Sequence, residues 1–401
     1  MMTNERQGAT LPYGALLALA MTGFICIVTE TLPAGLLPEI GDGLGVSPSW
    51  AGQMVTVYAL GSLLAAIPLT IATRSWRRRT VLLFTVVGFL LFNSLTALSS
   101  TYWLTLIARF FAGVSAGLAW SLIGGYARRM VNPDLQGRAM AVAMVGTPIA
   151  LSLGVPLGTW LGGAIGWRMS FAVMSGLTLV LIAWVLIKVP DYPGQSQSQR
   201  IALRQVLFTP GVRSVLGVVV TWMLAHNILY TYVAPFVSAA GLGRHVDLVL
   251  LVFGTAALAG IWLTGRLVDR HLRTAVLVSL ATFAAVSVFF GMFPGSAMAI
   301  YIGVFIWGMT FGGAATLLQT ALADAAGEGA DAALSMNVVA WNGAIAGGGL
   351  LGGMLLGQWG ASAFPWVLLA LVLGSLAIAC RARVSGFPQG ERFAGHGATD
   401  H

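Results

Sequence analysis

Charged residues are scarce in this chain of 401 amino acids. Only 8% are Asp, Glu, Lys or Arg, against roughly 25% in soluble globular domains. Cysteine is scarce too, because the only two, Cys26 and Cys380, lie in apolar runs near opposite ends of the chain. This spacing excludes a disulfide framework and a cysteine-based metal site. The sequence also lacks a phosphate-binding loop, a nucleophile triad and paired catalytic carboxylates. We therefore predict that the protein is not an enzyme and that it uses no cofactor or metal.

Apolar residues and glycine make up most of the chain. Hydrophobic residues account for 57%, there are 51 glycines, and the mean hydropathy is +0.86. A membrane-spanning helix needs about 20 apolar residues, and by this measure the sequence predicts an all-α membrane protein with twelve transmembrane helices. The predicted spans are residues 13–37, 50–72, 80–98, 103–127, 138–164, 168–189, 214–240, 246–267, 274–293, 296–322, 333–357 and 362–381. The first run lacks a small-residue cleavage site, so we predict a retained span rather than a removed signal peptide.

Basic residues fall almost entirely on one side of these predicted spans. Of the 21, 18 lie on one side, Arg168 and Arg244 lie on the other, and Arg109 lies inside a span. The 18 are Arg6, Arg74, Arg77, Arg78, Arg79, Arg128, Arg129, Arg138, Lys188, Arg200, Arg204, Arg213, Arg266, Arg270, Arg273, Arg381, Arg383 and Arg392. Because basic loops stay in the cytoplasm, both termini are predicted to be cytoplasmic, in a bacterial inner membrane. This bias explains the net charge of +8 without a nucleic-acid partner.

One long polar connection divides the predicted spans into two sets of six. It contains Pro193, Gly194 and a Gln-Ser-Gln-Ser-Gln run. The predicted organisation is a cytoplasmic segment, a six-helix bundle, a cytoplasmic linker, a second six-helix bundle and a cytoplasmic tail. Their limits are 1–12, 13–189, 190–213, 214–381 and 382–401.

The two halves resemble one another at an offset near 195 residues. Gly113 and Gly117 recur as Gly308 and Gly312, and the Arg-Thr pair at residues 79–80 recurs at 273–274. Parallel repeats of this kind are related by pseudo-twofold symmetry and place a substrate cavity at their interface, near the middle of the bilayer. We therefore predict transport by the rocking of one half against the other.

The fifth predicted span carries a glycine stripe, which we define as residues 146–162. A small residue stands at every fourth position, and residues four apart share one face of a helix. Two prolines, Pro148 and Pro156, lie within it and favour a bend. Such a helix can press its backbone against a neighbour without exposing polar groups to lipid. The glycines of this face are Gly146, Gly154, Gly158 and Gly162.

Four local patterns resemble those of one transporter family. The sequence Gly-Val-Pro-Leu-Gly at 154–158 resembles its fifth-helix antiporter motif, and Arg109 with Gly113 and Gly117 resembles its arginine-glycine motif. The first span resembles the family through Glu30 and the Gly-Leu-Leu-Pro run at 35–38. The loop after the eighth span resembles its cytoplasmic gating loop through Gly265, Asp269, Arg270 and Arg273.

Over roughly residues 12–383, the chain thus resembles the major facilitator superfamily, in particular drug/proton antiporters close to sugar-efflux and chloramphenicol-resistance permeases. The resemblance implies the major facilitator fold, with two six-helix bundles, and efflux driven by protons. One departure concerns the loop after the second span, where Ile71 and Ser75 take the places of the glycine and aspartate expected from the internal repeat. In the family this aspartate caps a helix and pairs with basic residues across the interface between the halves, and the resemblance does not extend to that interaction in the loop after the second span.

Three ionisable residues within predicted spans are candidates for proton coupling. Glu30 lies about seventeen residues into the first span, where an ionised carboxylate costs several kcal/mol unless it faces a cavity. Arg109 shares a helix face with Gly113 and Gly117 and can bind carbonyls or a carboxylate of a neighbouring helix. His226 either relays protons or bonds a neighbouring helix. A carboxylate near the headgroups and a snorkelling arginine are the structural alternatives.

Further polar and aromatic residues of the spans are candidates for lining a substrate cavity. Each of them is also suited to packing or to a hydrogen bond between helices. They are Tyr58, Trp120, His226, Asn227, Tyr230, Trp307, Gln319, Asn337, Trp341 and Asn342.

The function that these features predict is the export of a small amphiphilic compound, a drug or a sugar-like metabolite, in exchange for protons. Its partners would be the substrate, protons and the bilayer, and no feature requires more than a monomer. A proton-independent facilitator or importer of a sugar is the alternative. A non-transporting membrane sensor is a third hypothesis, although only about 20 polar residues follow the last predicted span.

Overall fold

The computed structural model describes residues 11–132, 135–194 and 203–389. The predicted cytoplasmic residues Arg6, Arg200 and Arg392 lie outside these ranges, as does the Gln-Ser run of the linker. Within the described ranges, all regular secondary structure is helical, which confirms the all-α prediction. The first ten helices are α1 (Tyr13–Gly35), α2 (Leu37–Leu44), α3 (Pro48–Ala51), α4 (Gln53–Ala72), α5 (Arg78–Leu98), α6 (Tyr102–Arg129), α7 (Gln136–Met144), α8 (Gly146–Ile149), α9 (Val155–Ile165) and α10 (Trp167–Lys188).

The helices after the central connection are fewer and include one very long element. They are α11 (Leu203–Leu207), α12 (Val212–Thr231), α13 (Val233–Ser238), α14 (Val246–Met292), α15 (Ala297–Gly312), α16 (Ala314–Ala326), α17 (Ala330–Trp359) and α18 (Phe364–Arg381). Short 3₁₀ turns at Gly327–Gly329 and Ala361–Ala363 join the last three.

Eleven helical stretches of the described chain are long and apolar enough to cross a membrane. One of them, α14, has 47 residues and at 1.5 Å per residue would be about 70 Å long, more than twice the thickness of the hydrocarbon core of a bilayer. The backbone of α14 leaves helical geometry at His271, where φ is −125° and ψ is 34°. Two spans therefore meet at His271, which gives the twelve crossings that the sequence predicts.

Several predicted spans are interrupted helices. The seventh breaks at Tyr232, between α12 and α13, because Pro235 cannot donate a backbone hydrogen bond to the preceding turn. The tenth breaks at Gly313, between α15 and α16. The connection between the eighth and ninth spans is shorter than the predicted 268–273 loop, since only His271 is non-helical. Hydropathy finds the spans well but not the breaks within them.

The described helices fall into two compact units, one within residues 1–198 and the other within residues 199–401. In the first unit, α6 packs against α4 and α5, α5 packs against α10, and α1 contacts α6, α7, α8, α9 and α10. In the second unit, α14 packs against α15 and α18, and α12 packs against α17 and α18.

Glycines of α6 allow its backbone to approach that of α4. A Cβ atom on Gly113 would overlap the main-chain carbonyl of Tyr58, and one on Gly117 would overlap that of Ser62. Small residues are the usual means of such close contact between membrane helices. The approach places Arg109, one turn before Gly113, directly beside α4.

The second unit repeats this contact. A Cβ atom on Gly308 of α15 would overlap the carbonyl of Phe253 in α14, and one on Gly312 would overlap that of Ala257. The glycine pairs that recur in the sequence thus bring together equivalent helices in each unit.

Candidate functional site

Arg109 is the centre of a polar cluster inside the first unit. Its side chain is fully buried, and its guanidinium donates to the main-chain oxygens of Met54, from Nε at 3.5 Å, and Glu30, from Nη2 at 3.4 Å. The guanidinium carbon also lies 4.8 Å from the ring centre of Tyr58 and 5.5 Å from that of Phe171. Carbonyl dipoles and aromatic faces offset part of the cost of burying this charge.

The carboxylate of Glu30 lies in the same buried region but is not paired with Arg109. Glu30 is 8% exposed, and the charge of Arg109 acts on its carboxyl group. Within the described residues, however, no hydrogen bond or ion pair joins that carboxylate to Arg109, whose Nη1 has no partner. The structure therefore brings the two predicted residues together through the backbone of α1, without an ion pair between their side chains.

Two further hydrogen bonds tie α1 to its neighbours around Glu30. The Tyr58 hydroxyl donates to the main-chain oxygen of Cys26 at 2.9 Å, and Asn93 Nδ2 donates to Thr29 Oγ1 at 3.0 Å. Both bonds are buried and join α1 to α4 and to α5. Sequence reasoning missed Asn93, although a buried amide in the apolar span 80–98 is itself a signal of interhelical bonding.

The partner of the glycine stripe is α1, the helix that carries Glu30. A Cβ atom on Gly146 would overlap the main-chain oxygen of Ala20, so the two backbones are in contact there. Further along, Gly154, Gly158 and Gly162 lie against side chains of α1 and of the residue that follows it, namely Phe24 with Val28, Leu32, and Leu36. The stripe therefore presents a smooth surface to the helix that holds the acidic residue.

The two prolines of the stripe flank an irregular turn. Between Pro148 and Pro156 the chain forms a π-helical segment at Ala150–Gly154. A proline lacks the backbone N–H and its ring crowds the carbonyl four residues earlier, so the α-helical pattern widens before Pro156. Local irregularities of this kind are points where a helix bends.

In the second unit, His226 lies in an aromatic cluster. Its ring is stacked on that of Phe311, with centres 3.4 Å apart and planes 3° from parallel. The rings of Tyr230, Phe253 and Trp307 surround it, with centres 5.2 to 5.7 Å away. The cluster brings together three predicted cavity residues and adds Phe253 and Phe311, which sequence reasoning missed.

Two polar atoms in this aromatic cluster have no hydrogen-bond partner among the described residues. They are Nδ1 of His226 and Nε1 of Trp307, and both are buried. An unmet buried donor or acceptor costs about 1–3 kcal/mol, so a bound molecule or water that satisfied them would be stabilised.

The remaining predicted cavity residues occupy separate places. Asn227 Nδ2 donates to the Met223 carbonyl at 2.8 Å, and Asn342 Nδ2 donates to the Val338 carbonyl at 2.9 Å, each within its own helix. Of the other four, Asn337 is buried, Trp341 is half-buried and Gln319 is exposed on α16. Trp120 is half-buried and packs against Gly23 of α1.

The predicted gating residues lie at the break in α14. Gly265, Asp269 and Arg270 belong to its helical part, and the chain turns at His271. Arg273 donates to the carbonyl oxygens of Ala379, Cys380 and Phe387 at 3.0, 3.2 and 2.6 Å, so it binds the end of α18 and the residues that follow.

A groove of about 390 Å³ opens beside this break. Its lining includes Thr264, His271, Thr274, Ser279 and Met309.

Comparison with known proteins agrees with this architecture. The sequence model of the Major Facilitator Superfamily matches residues 19–348. The chain belongs to this superfamily. It is therefore a multi-pass membrane transporter of the superfamily, as the resemblance of its motifs implied.

Its relatives include proteins named for efflux. The chain is 31% identical to a purine ribonucleoside efflux pump of Escherichia coli, over 80% of this chain and 84% of that protein. It is 26% identical to a probable sugar efflux transporter of Helicobacter pylori, over 89% of this chain and 92% of that protein.

A solved structure shares the fold. A bacterial homologue of the human lysosomal transporter Spinster, in an inward-facing and unoccupied conformation, matches 94% of this chain and 97% of its own with a TM-score of 0.64. The two sequences are 14% identical, so this likeness concerns the fold alone.

Proposed function

We propose that this transporter exports a small amphiphilic solute in exchange for protons, by alternating access. The observation that carries the proposal is the buried cluster of Glu30, Tyr58 and Arg109, in which an unpaired carboxylate lies beside a fixed positive charge. Intramembrane acids of this kind serve as proton carriers in many transporters. The efflux names of the relatives support the direction of transport.

The coupling step follows from the Nη1 group of Arg109, which the described residues leave unpartnered. When Glu30 is ionised, its carboxylate attracts the guanidinium, whose Nη1 is without a partner among the described residues. When Glu30 takes up a proton, this attraction is lost and Arg109 keeps only its bonds to carbonyls and its contacts with Tyr58 and Phe171. The electrostatic attraction between α1, which carries Glu30, and α6, which carries Arg109, thus depends on one proton. We therefore expect about one proton per turnover.

The glycine stripe gives α1 a surface on which it can move. Contacts between backbone and small residues can shift without unmaking side-chain bonds, and the π-helical segment supplies a bend in the same region. A change in the attraction between Glu30 and Arg109 is therefore transmitted to the fifth span through α1.

The substrate class is a neutral or cationic amphiphile or a short sugar. The relatives named above are a sugar transporter and a ribonucleoside pump. The aromatic cluster around His226 offers stacking faces and two unmet polar atoms, which suit a molecule with flat rings and hydrogen-bonding edges.

Replacing Glu30 by glutamine tests the proposal. In proteoliposomes we expect Glu30→Gln to lose efflux driven by a pH gradient for whichever of a panel of amphenicols, purine ribonucleosides and short saccharides the wild type exports. Substrate counterflow, which needs no proton release, should persist. The matched control is Glu39→Gln, which neutralises a carboxylate on α2 outside the polar cluster.

Two outcomes would contradict the coupling role. Full pH-driven efflux by Glu30→Gln removes Glu30 from the mechanism. Net downhill efflux of the substrate by the wild type without any proton flux identifies a facilitator instead.

A further inference from the structure

Asp191 is a carboxylate that the function proposed above does not use. It follows the end of α10, where Arg77 Nε donates to its Oδ2 at 2.5 Å and the N–H of Arg79 donates to its Oδ1 at 3.2 Å. Partial burial opposes ionisation of the carboxyl, but these bonds outweigh it and hold the pKa of Asp191 below its ordinary value. Asp191 therefore acts as an N-terminal cap for α5, whose first N–H groups have no partner within the helix.

The residues around Asp191 form a short strap, which we define as residues 190–194. The N–H of Arg78, the first residue of α5, donates to the Tyr192 oxygen at 2.8 Å. At the end of the strap, Gly194 lies against the main chain of Arg74 and Ser75, so closely that a Cβ atom would overlap it. The strap thus covers both the loop after the second span and the start of α5.

The strap is also bound to α6. The Tyr126 hydroxyl donates to the Pro190 oxygen at 2.7 Å, and Arg129 Nη1 donates to the Pro193 oxygen at 3.0 Å. The aromatic rings of Tyr126 and Tyr192 pack edge to face, with centres 5.8 Å apart. Three spans therefore end on this one segment.

In the second unit the end of the last span is also tied to the connection between the second and third spans of that unit, but main-chain carbonyls take the place of the carboxylate. There, Arg273 at the start of the ninth span binds the carbonyls of Ala379, Cys380 and Phe387, at and after the end of α18. In each unit the exit of the last span is tied to the connection between the second and third spans. In the first unit a carboxylate makes this tie, and the same connection lacks its own aspartate, because Ser75 stands there.

We propose that Asp191 supplies, from the far end of the unit, the carboxylate that the loop at Ser75 lacks, and that it positions this arginine-rich loop for transport. The consequence for transport rests on the function proposed above, whereas the positioning itself does not. Arg77 is two-thirds exposed, so the direct ion pair contributes little. The cap on Arg79 and the strap bonds hold the loop.

The test is limited trypsin cleavage of the purified full-length protein, read at the arginines of residues 74–79 by sequencing the new amino termini. Loss of the cap and of a charge-assisted hydrogen bond favours local opening, so we expect Asp191→Ala to be cleaved there about tenfold faster than the wild type. Asp191→Asn keeps an acceptor oxygen for Arg79 and should lie in between. Asp42→Ala, which removes an exposed carboxylate of α2, is the matched control and should behave as the wild type.

A second variant, which restores a carboxylate at position 75, tests whether Asp191 replaces the missing aspartate of the loop. In the Asp191→Ala background, Ser75→Asp places a carboxylate beside the strap and should return cleavage to about the wild-type rate. Wild-type cleavage of Asp191→Ala, or no recovery with Ser75→Asp, overturns the proposal. If Asp191→Ala does not accumulate, Asp191→Asn takes its place in the same comparison.

The transport readout separates this proposal from the previous one. We expect Asp191→Ala to export more slowly, and Ser75→Asp to restore the rate. Glu30→Gln should lose pH-driven efflux while its loop is cleaved like that of the wild type. A failure of proton coupling would therefore leave the cleavage result intact.

Discussion

Replacing Gly146 by alanine tests whether close contact between the glycine stripe and α1 is needed for folding and for transport. In the structure a Cβ atom at this position would overlap the carbonyl oxygen of Ala20, which belongs to the backbone of α1. A backbone atom cannot rotate away as a side chain does. The added methyl group must therefore move a whole helix.

The size of the effect follows from the distances. Real Cβ atoms essentially never approach another heavy atom within 3.0 Å, and restoring that distance at Gly146 requires a separation of about 1 Å between the helices. A gap of this size forfeits a quarter to a half of the dispersion energy of the atoms that line it. Overpacking of this kind typically costs about 1–3 kcal/mol. The free energy of unfolding should fall by that amount.

Two other alanine variants of the fifth span, with less crowded Cβ positions, serve as comparisons for the loss of stability. At Gly158 the Cβ atom would meet only the end of the Leu32 side chain, at 2.7 Å, and that side chain can turn aside. At Gly163 nothing lies within 4 Å. We expect the loss of stability, measured by SDS titration of the purified proteins, to decrease in the order Gly146→Ala, Gly158→Ala, Gly163→Ala.

Efflux should follow the same order, because displacement of α1 also displaces Glu30. Equal stability and equal pH-driven efflux for Gly146→Ala and Gly163→Ala would refute the reasoning. Lower stability with unchanged efflux would show that the contact serves folding only.

Three further predictions concern other parts of the two units. Tyr58→Phe keeps the ring beneath the guanidinium but leaves the buried Cys26 oxygen without its donor, so SDS titration should show a loss of about 1–2 kcal/mol in the free energy of unfolding; no loss would mean that water replaces the donor. His226→Phe preserves the stack on Phe311 and removes an unmet polar atom, so stability should not fall, and unchanged pH dependence of efflux would exclude His226 from proton coupling. Arg273→Lys cannot reach three carbonyls at once, so hydrogen exchange at the end of α18 should become faster, and an unchanged rate would contradict the role of that bond.

The positions of the spans could be predicted because they depend on local composition. Inside a bilayer every backbone polar group must be bonded within its own helix, so about 20 apolar residues specify a span whatever surrounds them. The breaks were harder to predict. Pro235 is a local signal for the break at Tyr232, and a connection was predicted at 268–273, but the sequence does not show that this connection stays helical except at His271.

The sequence indicated which residues are candidates, but it did not indicate which atoms those residues contact. A carboxylate and a guanidinium in apolar runs are conspicuous, so Glu30 and Arg109 could be selected from the sequence. That Arg109 binds the main-chain oxygen of Glu30, and not its carboxylate, depends on the distance between α1 and α6. Ring stacking of His226 on Phe311 likewise joins two helices that are far apart in sequence.

By itself the sequence determined the class of the protein, its helical spans and the smooth face of its fifth span, because each of these follows from residues within one or two turns of each other. The tertiary structure alone decided which helix the stripe touches and which carboxylate reaches the arginine loop. Asp191 is more than 100 residues from Arg77, and no local pattern connects them. Their contact exists because α5, α6 and α10 pack into one unit and end side by side.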